Sequence, residues 1–253
     1  CAGIPNGDNL EDNCGNCDAD SSNDCVQDCV GEWGGSTVVD ECGECGGTEC
    51  VVFQPHSVGN QTNYASLTYA IDMDGDGDVD ILGGSGNGDI IVWHENDGSE
   101  GFTTREIDGM QGSGGQSGTS DAPMDIYALD VDEDGDIDVL SASAGDNTIS
   151  WYENDGDESF TKRVITTSAE GAYGIYALDV DGDGDIDVLS ASANDDTIAW
   201  YENDGSENFT EHIITTSADG AYAVHAIDVD GDGDIDILSA SVDDDTIAWY
   251  END

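Results

Sequence analysis

The run DVDGDGDID, residues 179 to 187, places aspartate at positions 1, 3, 5, 7 and 9 and glycine at position 6, and the pattern occurs four times at one place in a long repeat. The copies are Asp72, Asp74, Asp76, Asp78 and Asp80; Asp130, Asp132, Asp134, Asp136 and Asp138; Asp179, Asp181, Asp183, Asp185 and Asp187; and Asp228, Asp230, Asp232, Asp234 and Asp236. Phe53, Phe102, Phe160 and Phe209 are separated by 49, 58 and 49 residues, and Trp93, Trp151, Trp200 and Trp249 by 58, 49 and 49. The one long interval contains a Gly/Ser-rich stretch, residues 109 to 121, that reads as an enlarged surface loop.

Each unit has the order FTEHII, AYAVHAI, the aspartate run, DILSAS and TIAWYEN, clearest in the last two copies. The segments are short, rich in β-branched and aromatic residues and bounded by Gly, Asp and Asn, so they predict four strands and no helix. Four strands in a 49-residue repeat predict an all-β chain, a β-propeller of four four-stranded blades over residues 51–253. The small residues of LSAS suit close packing between blades, and the repeated Trp suits the wider outer gaps.

The repetitive part opens on a fourth-strand sequence, VVFQPHSV, and stops after a third strand, TIAWYEND. The spare strand either completes the last blade of the same chain, closing a ring, or completes the blade of another molecule.

Like charges about 4 to 6 Å apart repel by a few kcal/mol at an effective dielectric near 20, so the aspartate loops call for a cation. Calcium accepts six to eight oxygens at flexible angles, which suits alternating carboxylates around a glycine turn better than the octahedron of magnesium. Positions 1, 3, 5 and 9 are expected to offer side-chain oxygens and position 7 its carbonyl, with about one Ca2+ per repeat, four in all. The loop is not an EF-hand, because Ser190 stands where the twelfth-position Glu would be and strands flank it.

All eight cysteines, Cys1, Cys14, Cys17, Cys25, Cys29, Cys42, Cys45 and Cys50, fall in residues 1–50, which marks a separate domain. It is a duplication, DNCGNC answering DECGEC. Paired CxxC motifs admit zinc, but four cysteines per roughly 25-residue loop-rich unit read better as a disulfide-rich module of an oxidising compartment, with connectivity open.

The chain has 59 acidic and 3 basic residues, a formal charge of -56, which excludes nucleic acid and anionic membrane surfaces as partners. No run is apolar enough to insert in a membrane, no signal segment opens the chain, and the start at Cys1 reads as a mature product or a fragment. With 37% hydrophobic residues the chain is expected to fold once neutralised.

The histidines fall on repeat positions: His56 matches His212, His94 replaces Tyr152, Tyr201 and Tyr250, and His225 replaces Tyr176. Every acidic pair is multiplied by the repeat or lies in a metal loop, so no catalytic set stands out and the chain is not expected to be an enzyme. The turns SANDDT, SVDDDT and TTSADGAY offer Asp, Asn and Tyr to sugar hydroxyls, although tight polar turns explain them more simply.

The stretch DVDGDGDIDVLSAS followed by TIAWYENDGSENFT resembles the FG-GAP or VCBS-type repeat family over residues 53–253. The resemblance implies a β-propeller, often of seven blades, with calcium between the first two strands of a blade. The Cys-rich segment is similar to DECGxCGG modules that accompany such repeats in secreted bacterial proteins. Together these readings give a secreted, cell-surface, calcium-stabilised structural or adhesive protein, a candidate subunit of an extracellular filament. The alternative is a monomeric glycan-binding module of a larger secreted protein.

Overall fold

The computed structural model describes residues 27–32, 35–39, 45–46, 53–59, 64–109, 122–157 and 159–252, together with the backbone of two short strands near the start of the chain. It divides into two compact units, Cys1–His56 and Ser57–Asp253. The division falls six residues after the last cysteine, because Phe53, although it carries the fourth-strand sequence, joins no described strand and is 90% exposed.

In the first unit, β1 (Leu10–Glu11) pairs antiparallel with β2 (Cys17–Asp18). Cys29 and Cys45, the first and third cysteines of the second copy, form a disulfide with Cα atoms 5.4 Å apart. The carboxylate of Asp28 accepts the N–H groups of Val30, Glu32 and Thr37, tying the loop between these cysteines in place of a core. Of the other cysteines, Cys17 is described only as strand backbone, and Cys1, Cys14, Cys25, Cys42 and Cys50 lie outside the described residues.

The second unit holds fifteen strands and, among the described residues, no helix. The first sheet is β3 (Leu67–Ile71), β4 (Asp80–Ser85), β5 (Ile90–Asn96) and β6 (Phe102–Asp108), and the second is β7 (Pro123–Leu129), β8 (Asp138–Ser143), β9 (Thr148–Asn154) and β10 (Phe160–Thr166). The third is β11 (Ala172–Leu178), β12 (Asp187–Ser192), β13 (Thr197–Asn203) and β14 (Phe209–Thr215), and the last is β15 (Ala221–Ile227), β16 (Asp236–Ser241) and β17 (Thr246–Tyr250). Every pairing is antiparallel between neighbours in sequence, so each sheet is a meander built from one stretch of chain.

The sheets stack face to face in chain order, β3 against β7, β7 against β11 and β11 against β15. Between the second and third sheets, Leu140, Ala142, Ile149 and Trp151 meet Ile175, Ala177 and Val188, and the next interface repeats this with Leu189, Ala191 and Ile198 against Val224, Ala226 and Ile237. β12 is buried at all six positions, as expected of a strand covered on both faces. Tyr69, Tyr127, Tyr176 and His225 form a ladder across the first strands of all four sheets, with ring centroids 5.3, 5.0 and 4.3 Å apart.

Arg105 lies over Trp93 at 5.3 Å and Arg163 over Trp151 at 5.1 Å, while His212 stacks on Trp200 at 4.7 Å. Each also pairs with a glutamate two residues beyond that Trp: Arg105 Nη2 with Glu95 at 2.6 Å, Arg163 Nε with Glu153 at 2.5 Å and His212 Nε2 with Glu202 at 2.6 Å. Two of the three Lys/Arg residues thus pin a fourth strand onto a third.

Among the described residues, no strand pairing closes the ring expected from the repeat. The last sheet has three strands, and the residues that the next sheet covers elsewhere stand open on it, with Ile227 50%, Ile247 85% and Trp249 45% exposed. Residues 53–59, the expected fourth strand, are not paired with it.

Candidate metal centre

Each aspartate loop joins the first and second strands of a sheet and turns through left-handed residues at positions 4 and 6. In the third copy these are Gly182 and Gly184, at φ of 76° and 104°. Position 4 of the second copy is Glu133, which takes the same conformation at φ 61°.

The turn brings together positions 1, 3 and 9. Asp72, Asp74 and Asp80 offer carboxylate oxygens within 4.8 Å of one another, as do Asp130, Asp132 and Asp138; Asp179, Asp181 and Asp187; and Asp228, Asp230 and Asp236. Positions 5 and 7, Asp76, Asp78, Asp134, Asp136, Asp183, Asp185, Asp232 and Asp234, stand outside these groups. Position 5 instead accepts the position 7 N–H, as Asp134 does from Asp136 at 2.9 Å, and the position 7 carboxylate of Asp136 lies against Gly156.

The ninth aspartate is the best anchored. Asp138 is fully buried, and its Oδ2 accepts the Val131 N–H at 3.0 Å while its Oδ1 accepts the Asn154 N–H at 2.8 Å. Asn154 closes the arrangement, donating its amide to Ile137 O at 3.1 Å and accepting the Gly156 N–H at 3.2 Å. Asn96 and Asn203 make the same three bonds, and Asn252 makes the first two. These asparagines were not singled out by the sequence reading, yet their recurrence at intervals of 58, 49 and 49 residues was visible in it.

The electrostatics of the loop favour an added cation. Burial pushes Asp138 up to about 7, against the pull of the Asn154 and Val131 N–H groups, and moves Asp187 in the same direction. The indole N–H of Trp151 faces Asp138 and opposes the rise without reaching hydrogen-bond geometry. Asp236, beside the open side of the last sheet, is instead held below the usual range by the N–H of Asn252. At position 3, Asp74, Asp132, Asp181 and Asp230 all shift upward, first through lost solvation and then through neighbouring carboxylates.

Asp72 Oδ1 and Asp130 Oδ1 are buried without a hydrogen-bond partner. A buried carboxylate oxygen facing two other carboxylates is costly unless a positive charge meets it. Three convergent carboxylates with an unspent oxygen therefore fit a hard divalent cation, and the donor set is all oxygen, as calcium requires.

The FG-GAP-like repeat profile matches residues 72–141, 130–190 and 179–239, together about two thirds of the chain. The chain belongs to the FG-GAP-like repeat family. Its matched spans each run from one aspartate loop into the next, so the family unit is the loop and the strands that follow it. No curated protein gives a significant match along the sequence.

Among solved structures, this FG-GAP-like chain is similar to an Agrocybe aegerita lectin that recognises non-reducing terminal N-acetylglucosamine, at 20% identity and TM-score 0.48 over 68% of this chain and 46% of that one. It is also similar to the V. cholerae biofilm matrix protein Bap1, at 20% identity and TM-score 0.47 over 73% and 26%, and to virginiamycin B lyase from Staphylococcus aureus, at 16% identity and TM-score 0.48 over 90% and 69%. The chain thus spans less than half the length of the first two.

Three of the four histidines are engaged by packing or hydrogen bonds. His94 is buried and bonds Thr104 Oγ1 at 2.9 Å, His212 stacks on Trp200, and His225 ends the aromatic ladder. Of the turns considered for sugar binding, SANDDT holds the left-handed Asp196, at φ 57°, whose side chain accepts the N–H of Gly220 in TTSADGAY. Among the described residues, no helix is long and apolar enough to cross a membrane.

Proposed function

We propose that the chain is a non-catalytic, calcium-stabilised β-repeat module that works outside the cell, in cell-surface structure or adhesion, and assembles as a subunit of an extracellular filament. One observation carries this reading: the same three carboxylates converge in all four loops, two of them with a buried unpaired oxygen. Each loop connects the first two strands of its sheet, so an ion held there orders a hairpin, and mass action converts its binding into fold stability. The acidic residues are spent identically in every repeat, which argues for a structural part over a unique catalytic pair. The Cys29–Cys45 disulfide and a dependence on calcium both suit an oxidising, calcium-containing medium.

Calorimetric titration of the chelator-stripped chain tests the reading. Four calcium ions per chain, bound more tightly than magnesium and raising the melting temperature, are expected. Absence of calcium heat with an unchanged melt would overturn it.

A second reading, a monomeric carbohydrate-binding module of a larger secreted protein, draws on the ladder from Tyr69 to His225, whose partly exposed rings are of the kind that stack on sugars. Glycan-array binding that disappears in Tyr127→Ala would support it.

A further inference from the structure

The junction between successive sheets has a fixed construction. A left-handed residue at the turn between second and third strands, Asp89, Asn147 or Asp196, accepts the N–H of a left-handed residue opening the next sheet, Ala122, Gly171 or Gly220, at 3.0, 2.9 and 2.9 Å. The series has one unmatched member at each end. Asp245 takes the acceptor conformation at φ 56° in the last sheet, and Tyr64 takes the donor conformation at φ 59° before the first. A left-handed tyrosine is uncommon, and this one is 73% exposed.

Other features end in the same complementary way. The ladder stops at an exposed His225 on one side and begins at Tyr69 on the other. Trp249 is 45% exposed where Trp93 and Trp151, each under a fourth-strand arginine, are 1% exposed. The unpaired segment 53–58 holds His56 three residues after Phe53, as His212 follows Phe209. Phe53 precedes Tyr64 by 11 residues, the interval between Phe160 and Gly171 and between Phe209 and Gly220.

We propose that a second copy of this chain docks on the last sheet head to tail. Its residues 53–58 supply the missing strand beside β17, with His56 over Trp249. Its Tyr64 N–H reaches Asp245, and its first sheet covers Leu238, Ala240 and Ile247. The interface is the internal sheet junction made between molecules, so it continues contacts already present three times. A second copy is the occupant because residues 53–58 and the first sheet carry the surface that fits this face, and, among the described residues, that segment joins no sheet. The proposal rests on the reading of the chain as an assembling subunit. An interface of this kind is heterologous, and it propagates unless its rotation closes.

The chain of residues 1–253 in calcium is tested by light scattering on a sizing column and by photo-crosslinking. For the second, p-benzoylphenylalanine replaces Phe53, and ordinary and 15N-labelled chains are mixed. Masses at multiples of 26.4 kDa, with crosslinked peptides that join residues 53–58 to 246–250 in mixed-isotope pairs, are expected. Asp245→Ala is expected to weaken association about tenfold, as for a lost charge-assisted hydrogen bond, and Trp249→Ala to abolish it. A compact monomer, or crosslinks of this pair only within one isotope, would overturn the proposal in favour of a chain closing on itself. Calcium binding measured on the same samples separates the two readings, since a monomer that still binds four ions refutes the joint and leaves the metal module standing.

Discussion

The backbone N–H of Asn154 donates to Asp138 at 2.8 Å across sixteen residues, and the bond recurs in all four sheets at 2.7 to 2.9 Å. It ties the end of the third strand to the last carboxylate of the loop. A single side chain thus holds the sheet corner and belongs to the candidate cation site.

Asp138→Asn removes one negative charge and sets its amide NH2 against one of the two backbone N–H groups that the carboxylate accepts. In chelator the loss is expected to be about 1 to 3 kcal/mol, from that mismatched buried hydrogen bond. In millimolar calcium the loss is expected to be about 3 kcal/mol larger, the stabilisation a ligand gives at roughly a hundred times its dissociation constant. Denaturant melts in the two media check this, and equal losses would remove Asp138 from the site.

The pH dependence should invert with metal. Asp138 is raised to about 7 in the fold from an ordinary value of 3.8, so between these values the folded chain binds more protons than the unfolded one. Without calcium, stability is therefore full below about pH 4 and falls as the pH rises to about 7. With calcium, the deprotonated carboxylates are the ligands, so stabilisation is lost as the pH falls through the same window. Melting temperatures from pH 4 to 8 with calcium and with a chelator effective across that range should give opposite slopes.

Gly156 and Gly182 share a left-handed backbone, at φ 74° and 76°, but differ in surroundings. A Cβ at Gly182 meets open space, whereas at Gly156 it collides with the Asp136 carboxylate. Gly182→Ala is expected to cost about 1 kcal/mol for conformation alone, and Gly156→Ala at least about 2 kcal/mol. Scanning calorimetry in calcium orders the two, and a reversed order would mean that Asp136 yields freely.

Arg105 donates through both Nε and Nη2 to Glu95 Oε2, at 2.9 and 2.6 Å, while lying over Trp93. Lysine cannot reproduce the planar stack and the double donation. Arg105→Lys is expected to cost about 0.5 to 1 kcal/mol, read from chemical denaturation at moderate salt. An unchanged midpoint would show that charge alone holds the fourth strand.

Strands and loop were legible in the sequence because β-branched runs alternate with fixed turn residues at one period. Ligand selection was less so. Alternation puts five aspartates on equal terms, and only the turn through Gly182 and Gly184 decides that Asp179, Asp181 and Asp187 converge while Asp183 and Asp185 do not. The role of Arg105 and Arg163 was available, since both lie three residues after the repeat phenylalanine, but it required reading strand pairing across twelve residues. The Cys29–Cys45 pairing depends on a loop path that spacing does not encode.

Every carboxylate of a candidate cation site, and the asparagine that anchors its ninth position, comes from one repeat, and each junction joins a repeat to its neighbour. Unequal recombination that adds or deletes one 49-residue unit would therefore deliver a complete site and both halves of a junction, leaving the other units intact. Length in such a chain is a heritable dial that can turn without redesigning any single part.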